Sequence, residues 1–462
     1  MIKLLSTVNA ALWGVPGVIV LLGVGLYLTV RLGAVQRLLP QAFRVLASRL
    51  KSGPGTGISP VQALCTALAA TVGTGNLVGV AGAICLGGPG AVFWIWVCGL
   101  LGMATKYTEA MLAVRYRKQG KDGYLAGPMY MMTVGLGEEF RPMAKVYALF
   151  GLVACFGVGC AAQINSAVAG IDSIVRQFGG IPDRKGDFLL GLILAAVLAA
   201  LFLGGAKRIG QAAQILVPVA AAGYVLLCAA VLILKAKALP AAILSIFQGA
   251  FCPKAVTGGM IGSAFRAMQV GCSRGVFTNE AGMGTASIAH GSAEGVHPAE
   301  QGMLGLLEVF LDTIVICTAT ALAILISGVP VSYGIDAGAT LTGSAFCTVL
   351  GDWASVAVGA GLVLFACATV LGWGLYGVRC AEFLFGGESR NGFVLVQVAV
   401  ILISAVADTG PVWQFSETVN ALMAFPNLLT LVMLAPEAAR LTKEYIKSGG
   451  STASGGNYAD FH

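Results

Sequence analysis

With 57% of its 462 residues hydrophobic and 11% charged, this chain carries less than half the charge of an ordinary soluble domain, where about a quarter of residues are charged. A mean hydropathy of +0.85 excludes a mainly soluble protein and predicts an all-α membrane protein. The formal net charge of +7 does not imply a nucleic-acid partner, because the basic residues gather in alternate connections between apolar runs. The 64 glycines are about twice the usual share of roughly 7% and suit helices packed backbone to backbone. The 12 cysteines lie scattered in apolar runs with no C-x-x-C pair, and read as buried, reduced thiols.

Eleven apolar spans are predicted, near residues 11–31, 60–83, 88–113, 146–175, 187–205, 211–234, 241–270, 302–328, 354–384, 392–408 and 412–435. The first is long for a signal core, lacks a clear small-x-small cleavage site and reads as a retained helix. Residues 34–50, with Arg37, Arg44 and Arg49 among leucines, read as an amphipathic helix on the membrane surface.

The second span is interrupted. Val61 to Ala83 is long enough to cross the bilayer, yet Gly73, Thr74, Gly75 and Asn76 sit at its middle. Two glycines weaken a helix there, and the Asn76 amide enters a region without water. Unwound backbone at membrane depth survives only where it is packed in protein or lines a polar cavity, which is how secondary transporters build solute sites.

Gln163 and Asn165 lie mid-span in FGVGCAAQINSAVAG. Gln163 is a candidate solute contact, whereas Asn165 reads first as glue between helices. Span 241–270 contains Phe251-Cys252-Pro253-Lys254 and Gly258-Gly259-Met260-Ile261-Gly262, a second predicted break. Behind it comes GCSRGVFTNEAGMGTASIAHGSA, where Arg274, Asn279 and Glu280 mark either an inner gate or a well-capped cytoplasmic loop. Glu308 and Asp312, four apart, share a helix face inside a span. They suit a proton relay or a structural link to Arg266 or Arg274, and the link is the expectation. Thr369 and Trp373 also share one face, so a hydroxyl and an indole one turn apart can serve ion and solute together.

Basic residues follow every odd-numbered span: Arg31 to Lys51, Arg115 to Lys145, Lys207 and Arg208, Arg274, Arg379 and Arg390, and Arg440 to Lys447. This places the N-terminus outside and the C-terminus in the cytoplasm, in a cell inner membrane. Behind the first span, ten remain. Two sets of five run in opposite directions, and both open on a broken span, the pattern of an inverted repeat. The predicted units are residues 1–54 (peripheral span and surface helix), 55–238 and 239–440 (the two repeats) and 441–462, a cytoplasmic tail rich in Gly and Ser beyond Ser448 that is expected to be disordered.

Enzyme signals are weak. GTGNLVG has the spacing G-x-G-x-x-x-G and lies in a span, there is no P-loop lysine, and His290, His297 and His462 lack metal-ligand spacing. A membrane sensor would carry a soluble output domain, and none is visible.

Three blocks, TVGTGNLVGVAGAICLGGPGAVFWIWVCGLLGMATKYTEA, GCSRGVFTNEAGMGTASIAHGSA and VLGWGLYG, resemble the alanine/glycine:cation symporter family, over about residues 55–440. The resemblance implies a LeuT-type fold with ten core helices and one peripheral helix. It also implies symport of alanine or glycine with Na⁺, sometimes H⁺, as coupling ion, and no further cofactor or obligate protein partner. Carried over, its substrate contacts fall on Thr74, Gly75, Asn76, Gln163, Thr369 and Trp373, and its cation ligands on the carbonyls of Ala69 and Val72 with Thr369. Where the family often has two threonines this chain has Ala368 and Thr369, so one hydroxyl of the cation site is missing.

Overall fold

Amide groups that enter hydrocarbon must bond within their own segment, and the long apolar runs accordingly fold as helices. A computed structural model describes residues 12–51, 57–120, 123–258, 263–335, 338–407 and 410–448. Its only sheet among these residues is a small hairpin, Lys118–Gly120 paired antiparallel with Gly123–Leu125.

Helix α1 (Val15–Arg31) turns by 68° into α2 (Leu39–Lys51), the expected amphipathic segment. Arg49 fastens α2 to the body, donating to the Gly295 carbonyl at 3.0 Å and pairing with Glu300. The predicted second span is two helices, α3 (Pro60–Thr71) and α4 (Val80–Gly87), joined through a wide turn over Gly75–Gly79 and bent by 47°. Then come α5 (Gly90–Arg115), α6 (Arg141–Phe156), α7 (Ala162–Gln177), α8 (Arg184–Leu203) and α9 (Gly205–Leu234). Among the described residues eight helices are long and apolar enough to cross a membrane, or up to ten if each bent pair counts as one.

Span 241–270 is corrected. In its place stand α10 (Leu239–Phe251), a single turn at Pro253–Thr257 and α11 (Ala264–Asn279). Pro253 has no amide to continue α10, so Phe251–Pro253 does end a helix. Residues 259–262, the glycine part of that predicted break, lie outside the described residues. A further unwound stretch, buried throughout, is Glu280–Gly284, which leads into α12 (Thr285–His290). It is not a loop at the cytoplasmic surface: Asn279 and Glu280 are 1% and 4% exposed. The remaining helices are α13 (Pro298–Val309), continued through a wide turn at Phe310–Cys317 into α14 (Thr318–Ile326), then α15 (Gly338–Leu350), α16 (Ala354–Phe385), α17 (Ser389–Val406) and α18 (Gly410–Lys447). Residues 441–447, expected in the tail, continue α18, where Arg440 bonds Glu437 at 2.8 Å and Glu444 at 2.7 Å along one face. The tail beyond Ser448 lies outside the described residues.

The two breaks are packed head to tail. The first half of one, α3, touches α12, the second half of the other, while α4 and the Gly75–Gly79 turn touch α11. The discontinuous spans therefore run antiparallel, and α5 lies against both halves of the second. Glycines permit this closeness. A Cβ on Gly372 of α16 would meet the Ala70 backbone of α3 at 2.7 Å, and one on Gly170 of α7 the Gly359 carbonyl at 2.8 Å.

Gly90 of α5 and Gly249 of α10 meet in the same manner, a Cβ on Gly249 lying 2.7 Å from the Gly90 nitrogen. We expect Gly249→Val to destabilise the detergent-solubilised protein by about 1–3 kcal/mol, the usual cost of forced overpacking. Gly223→Ala, in open space within α9, should be neutral or stabilising by about 0.5–1 kcal/mol. Thermal unfolding of both variants beside the parent checks the contrast.

Candidate functional site

The first break is built by one side chain. Helix α3 stops where Val72 turns to extended backbone (φ −76°, ψ 97°), its amide still donating to the Leu68 carbonyl at 2.8 Å. A continuing helix would give the Gly73 amide to the Ala69 carbonyl; instead Asn76 Oδ1 takes it at 2.9 Å. The same carboxamide donates through Nδ2 to Asp312 Oδ1 at 2.7 Å, beyond α13. Asn76 thus satisfies the freed amide and pins the break to a neighbouring span. Farther along, Thr342 of α15 donates to the Leu77 carbonyl at 2.9 Å. Each freed polar group treated this way avoids about 1–3 kcal/mol of unpaired burial.

Around this break the structure gathers several of the expected residues. Thr74 Oγ1 donates to Gln163 Oε1 at 3.1 Å, and Gln163 Nε2 to the Val158 carbonyl at 3.1 Å. That carbonyl belongs to a wide turn, Gly157–Ala161, between α6 and α7. Asn165, two residues on, is half-buried. Gly75 packs on α11, where a Cβ would come 3.3 Å from Thr278 Cγ2. Thr369 comes to Gly73 so closely that a Cβ there would fall 2.5 Å from its Oγ1. The Thr369 hydroxyl is buried and has no hydrogen-bond partner among the described residues. Ala368 packs in one apolar cluster with Ala69 and Val72. Trp373 is 1% exposed; its ring lies 5.8 Å from that of Tyr376, and a Cβ on Gly159 would fall 2.5 Å from its own Cβ.

A buried polar network, of which the sequence reading named Glu308 but not its partners, lies beside this group. Glu308 pairs with Lys106 of α5 at 3.2 Å and with His290 of α12 at 2.9 Å. Gln301 completes it, 2.6 Å from the other His290 nitrogen, and Thr71 at the end of α3 reaches Glu308 at 3.4 Å. The expected link from Glu308 to Arg266 or Arg274 is replaced, because Lys106 and His290 come from helices packed directly on α13, while Arg266 bonds Gln269 on its own helix at 3.4 Å. Removing one partner of such a pair costs about 3–5 kcal/mol, since it strands a buried charge.

The second break has its own supports. Glu109, one turn after Lys106, accepts on Oε1 from the amides of Gly282 and Gly284, both at 3.0 Å, and from Asn427 at 2.7 Å. Asn279 accepts from the Ala281 amide at 3.0 Å and donates to Thr313 at 3.1 Å. Glu280 has a left-handed backbone (φ 52°), which costs a residue with a Cβ about 1–2 kcal/mol. Its Oε1 accepts from Trp373 Nε1 at 2.9 Å and its Oε2 from Thr285 at 2.6 Å. The signal for Lys106 and Glu109 was present in MATKYTEA, two charges inside an apolar span.

Among the described residues no three His, Cys, Asp or Glu side chains gather as a metal-ion site. The oxygens around the first break are carbonyls, hydroxyls and amides, together with the carboxylates of Asp312 on Asn76 at 2.7 Å and of Glu308 on Thr71 at 3.4 Å, all of them hard donors that suit a hard cation. Thr74, Asn76, Gln163 and Thr369 are all buried around this break.

Comparison with known proteins agrees over nearly the whole length. Residues 1–455 match the sodium:alanine symporter family. The sodium/alanine symporter AgcS of Methanococcus maripaludis is 40% identical over 454 residues, covering 96% of this chain and 97% of that protein. The amino-acid carrier protein AlsT of Bacillus subtilis is 34% identical, covering 93% and 89%, and the probable sodium/glutamine symporter GlnT of the same organism 34% identical, covering 95% and 89%. The family match over residues 1–455, with a relative 40% identical over 96% of the chain, shows that this protein belongs to the sodium:alanine symporter family.

Proposed function

We propose that the chain is a secondary symporter that couples inward Na⁺ movement to uptake of small neutral amino acids, alanine and glycine, by alternating access. The carrying observation is the first break, with the Thr74–Gln163 pair on one side and the partnerless Thr369 hydroxyl on the other. The substrate carboxylate sits at the start of the outer half-helix, near Gly75, where free amides and the helix dipole favour an anion. Thr74, Gln163 and Thr369 supply hydrogen bonds, and Trp373 walls the side-chain end. Asn76, whose carboxamide is engaged at both ends, acts by holding the break in shape. Na⁺ takes carbonyl oxygens of Ala69 and Val72 with Thr369 Oγ1.

The scaffold for this cycle is a LeuT-type inverted repeat. The first five spans are residues 60–87, 90–115, 138–177, 184–203 and 205–234; the second five are 264–290, 298–326, 354–385, 389–406 and 410–447, with α1 outside both sets. Helices α10 and α15 are connections, so the second repeat, assigned to residues 239–440, opens its broken span at 264. The N-terminus lies outside and the C-terminus in the cytoplasm, in the cytoplasmic membrane. A second reading, proton coupling through Glu308 and Asp312, draws on the direct bond from Asp312 to the break.

Three outcomes are expected in proteoliposomes. Labelled alanine accumulates under an imposed Na⁺ gradient; accumulation in Na⁺-free vesicles under a pH gradient, abolished by Asp312→Asn, would establish the second reading instead. Thr369→Ala raises the Na⁺ concentration for half-maximal uptake about 5- to 150-fold, the equivalent of about 1–3 kcal/mol for a lost buried partner, and Thr369→Ser restores it. Gln163→Ala weakens alanine binding by a similar factor with little change in melting temperature, whereas Asn76→Ala lowers both, because it also strips a partner from buried Asp312.

A further inference from the structure

Trp373 offers its neighbours an N–H that a space-filling ring would not need, and Glu280 Oε1 accepts it at 2.9 Å. Both groups are buried, 1% and 4% exposed. We propose that Glu280 is a positioning residue for substrate size: from the second break it holds the Trp373 indole as a fixed wall of the amino-acid site. The inference rests on reading Trp373 as part of that site.

The geometry suits a fixed holder. A carboxylate without a proton only accepts, so each Glu280 oxygen fixes a donor, one the indole and the other the Thr285 hydroxyl at 2.6 Å. The Glu280 backbone is itself held: its amide donates to the Val276 carbonyl at 2.8 Å, and the following unwound residues are tied by Glu109 through the Gly282 and Gly284 amides. Glycine is absent at position 280 although the backbone is left-handed there (φ 52°); the side chain is kept despite the strain, as expected where strain serves a site. At its base Trp373 is pressed by Gly159, and one side of its ring meets Tyr376. The hydrogen bond to Glu280 therefore fixes the one remaining freedom, the swing of the indole about its side-chain bonds. Released, the ring is expected to turn and to open room for a methylene or two.

Two conservative variants separate length from charge. Glu280→Gln is neutral but reaches Trp373 with an acceptor oxygen; Glu280→Asp keeps the charge but falls short by one methylene. Dissociation constants for alanine and for leucine are measured by radioligand binding to the purified protein in NaCl, with monodispersity checked by gel filtration. We expect Glu280→Gln to keep the parent leucine-to-alanine ratio of dissociation constants whatever its transport rate. Glu280→Asp should lower that ratio roughly tenfold, the scale on which a pocket distinguishes a methylene or two. A role that is only electrostatic gives the reverse order, and a role that is only structural leaves the ratio unchanged in both variants; either result overturns the proposal. A parent protein that binds neither alanine nor glycine overturns the site reading beneath it, which a changed rank order among the variants does not.

Discussion

A bilayer offers no water to an amide that leaves its helix, and the architecture of this protein follows from how it meets that constraint twice. At the first break the debt of the Gly73 amide is met by Asn76, and at the second the amides of Gly282 and Gly284 are met by a carboxylate from α5. Both solutions borrow a polar side chain, and both side chains are in turn anchored elsewhere, to Asp312 and to Asn427. The unwound segments persist because neighbouring helices hold them open, and the glycines that let those neighbours approach are part of the same device.

Helix α5 is the common member. Through Lys106 and Glu308 it reaches Thr71, at the end of α3; one turn later, through Glu109, it reaches the second break. Three residues of spacing put both charges on one face, so a single rigid helix touches the inner portions of both discontinuous spans. The two breaks are thus linked through one helix by contacts of 3.0 to 3.4 Å.

The sequence was informative where local chemistry decides structure. Gly73–Asn76 in an apolar run predicts a break because glycine and a buried amide oppose a helix whatever surrounds them. The amphipathic stretch at 34–50 is legible for the same reason. Of the predicted second break, the helix end at Phe251–Pro253 is present, whereas the unwound stretch at Glu280–Gly284 was not foreseen as a break, because proline and paired glycines are stronger local signals than Asn279-Glu280-Ala281-Gly282. That latter stretch unwinds only because Glu109, Asn427 and Thr313 accept and supply its hydrogen bonds, and those partners lie 34 to 175 residues away in the chain. Glu308 was recognised as a buried carboxylate, but its partner was sought among the arginines nearest in sequence. Burial of a cation as deep as Lys106, 0% exposed, depends on the packing of α5 against α13, which no pattern of residues announces. Thr74, Gln163, Thr369 and Trp373 were legible as polar or bulky residues inside spans; that Trp373 answers to Glu280 was not.

The hydroxyl of Thr342 on the Leu77 carbonyl has a kinetic consequence. Helix α15 is no mere cover laid over the second half of the first break: its first turn rests so close to Val78 and Gly82 that position 338 has no room for a side chain. A carbonyl that depends on a hydroxyl from another element does not travel alone. Detaching it at membrane depth would cost about 1–3 kcal/mol, slowing the step by roughly an order of magnitude per 1.4 kcal/mol. The second half-helix and α15 are therefore fastened together, so any rearrangement of this half of the break has to carry α15 with it or break that bond.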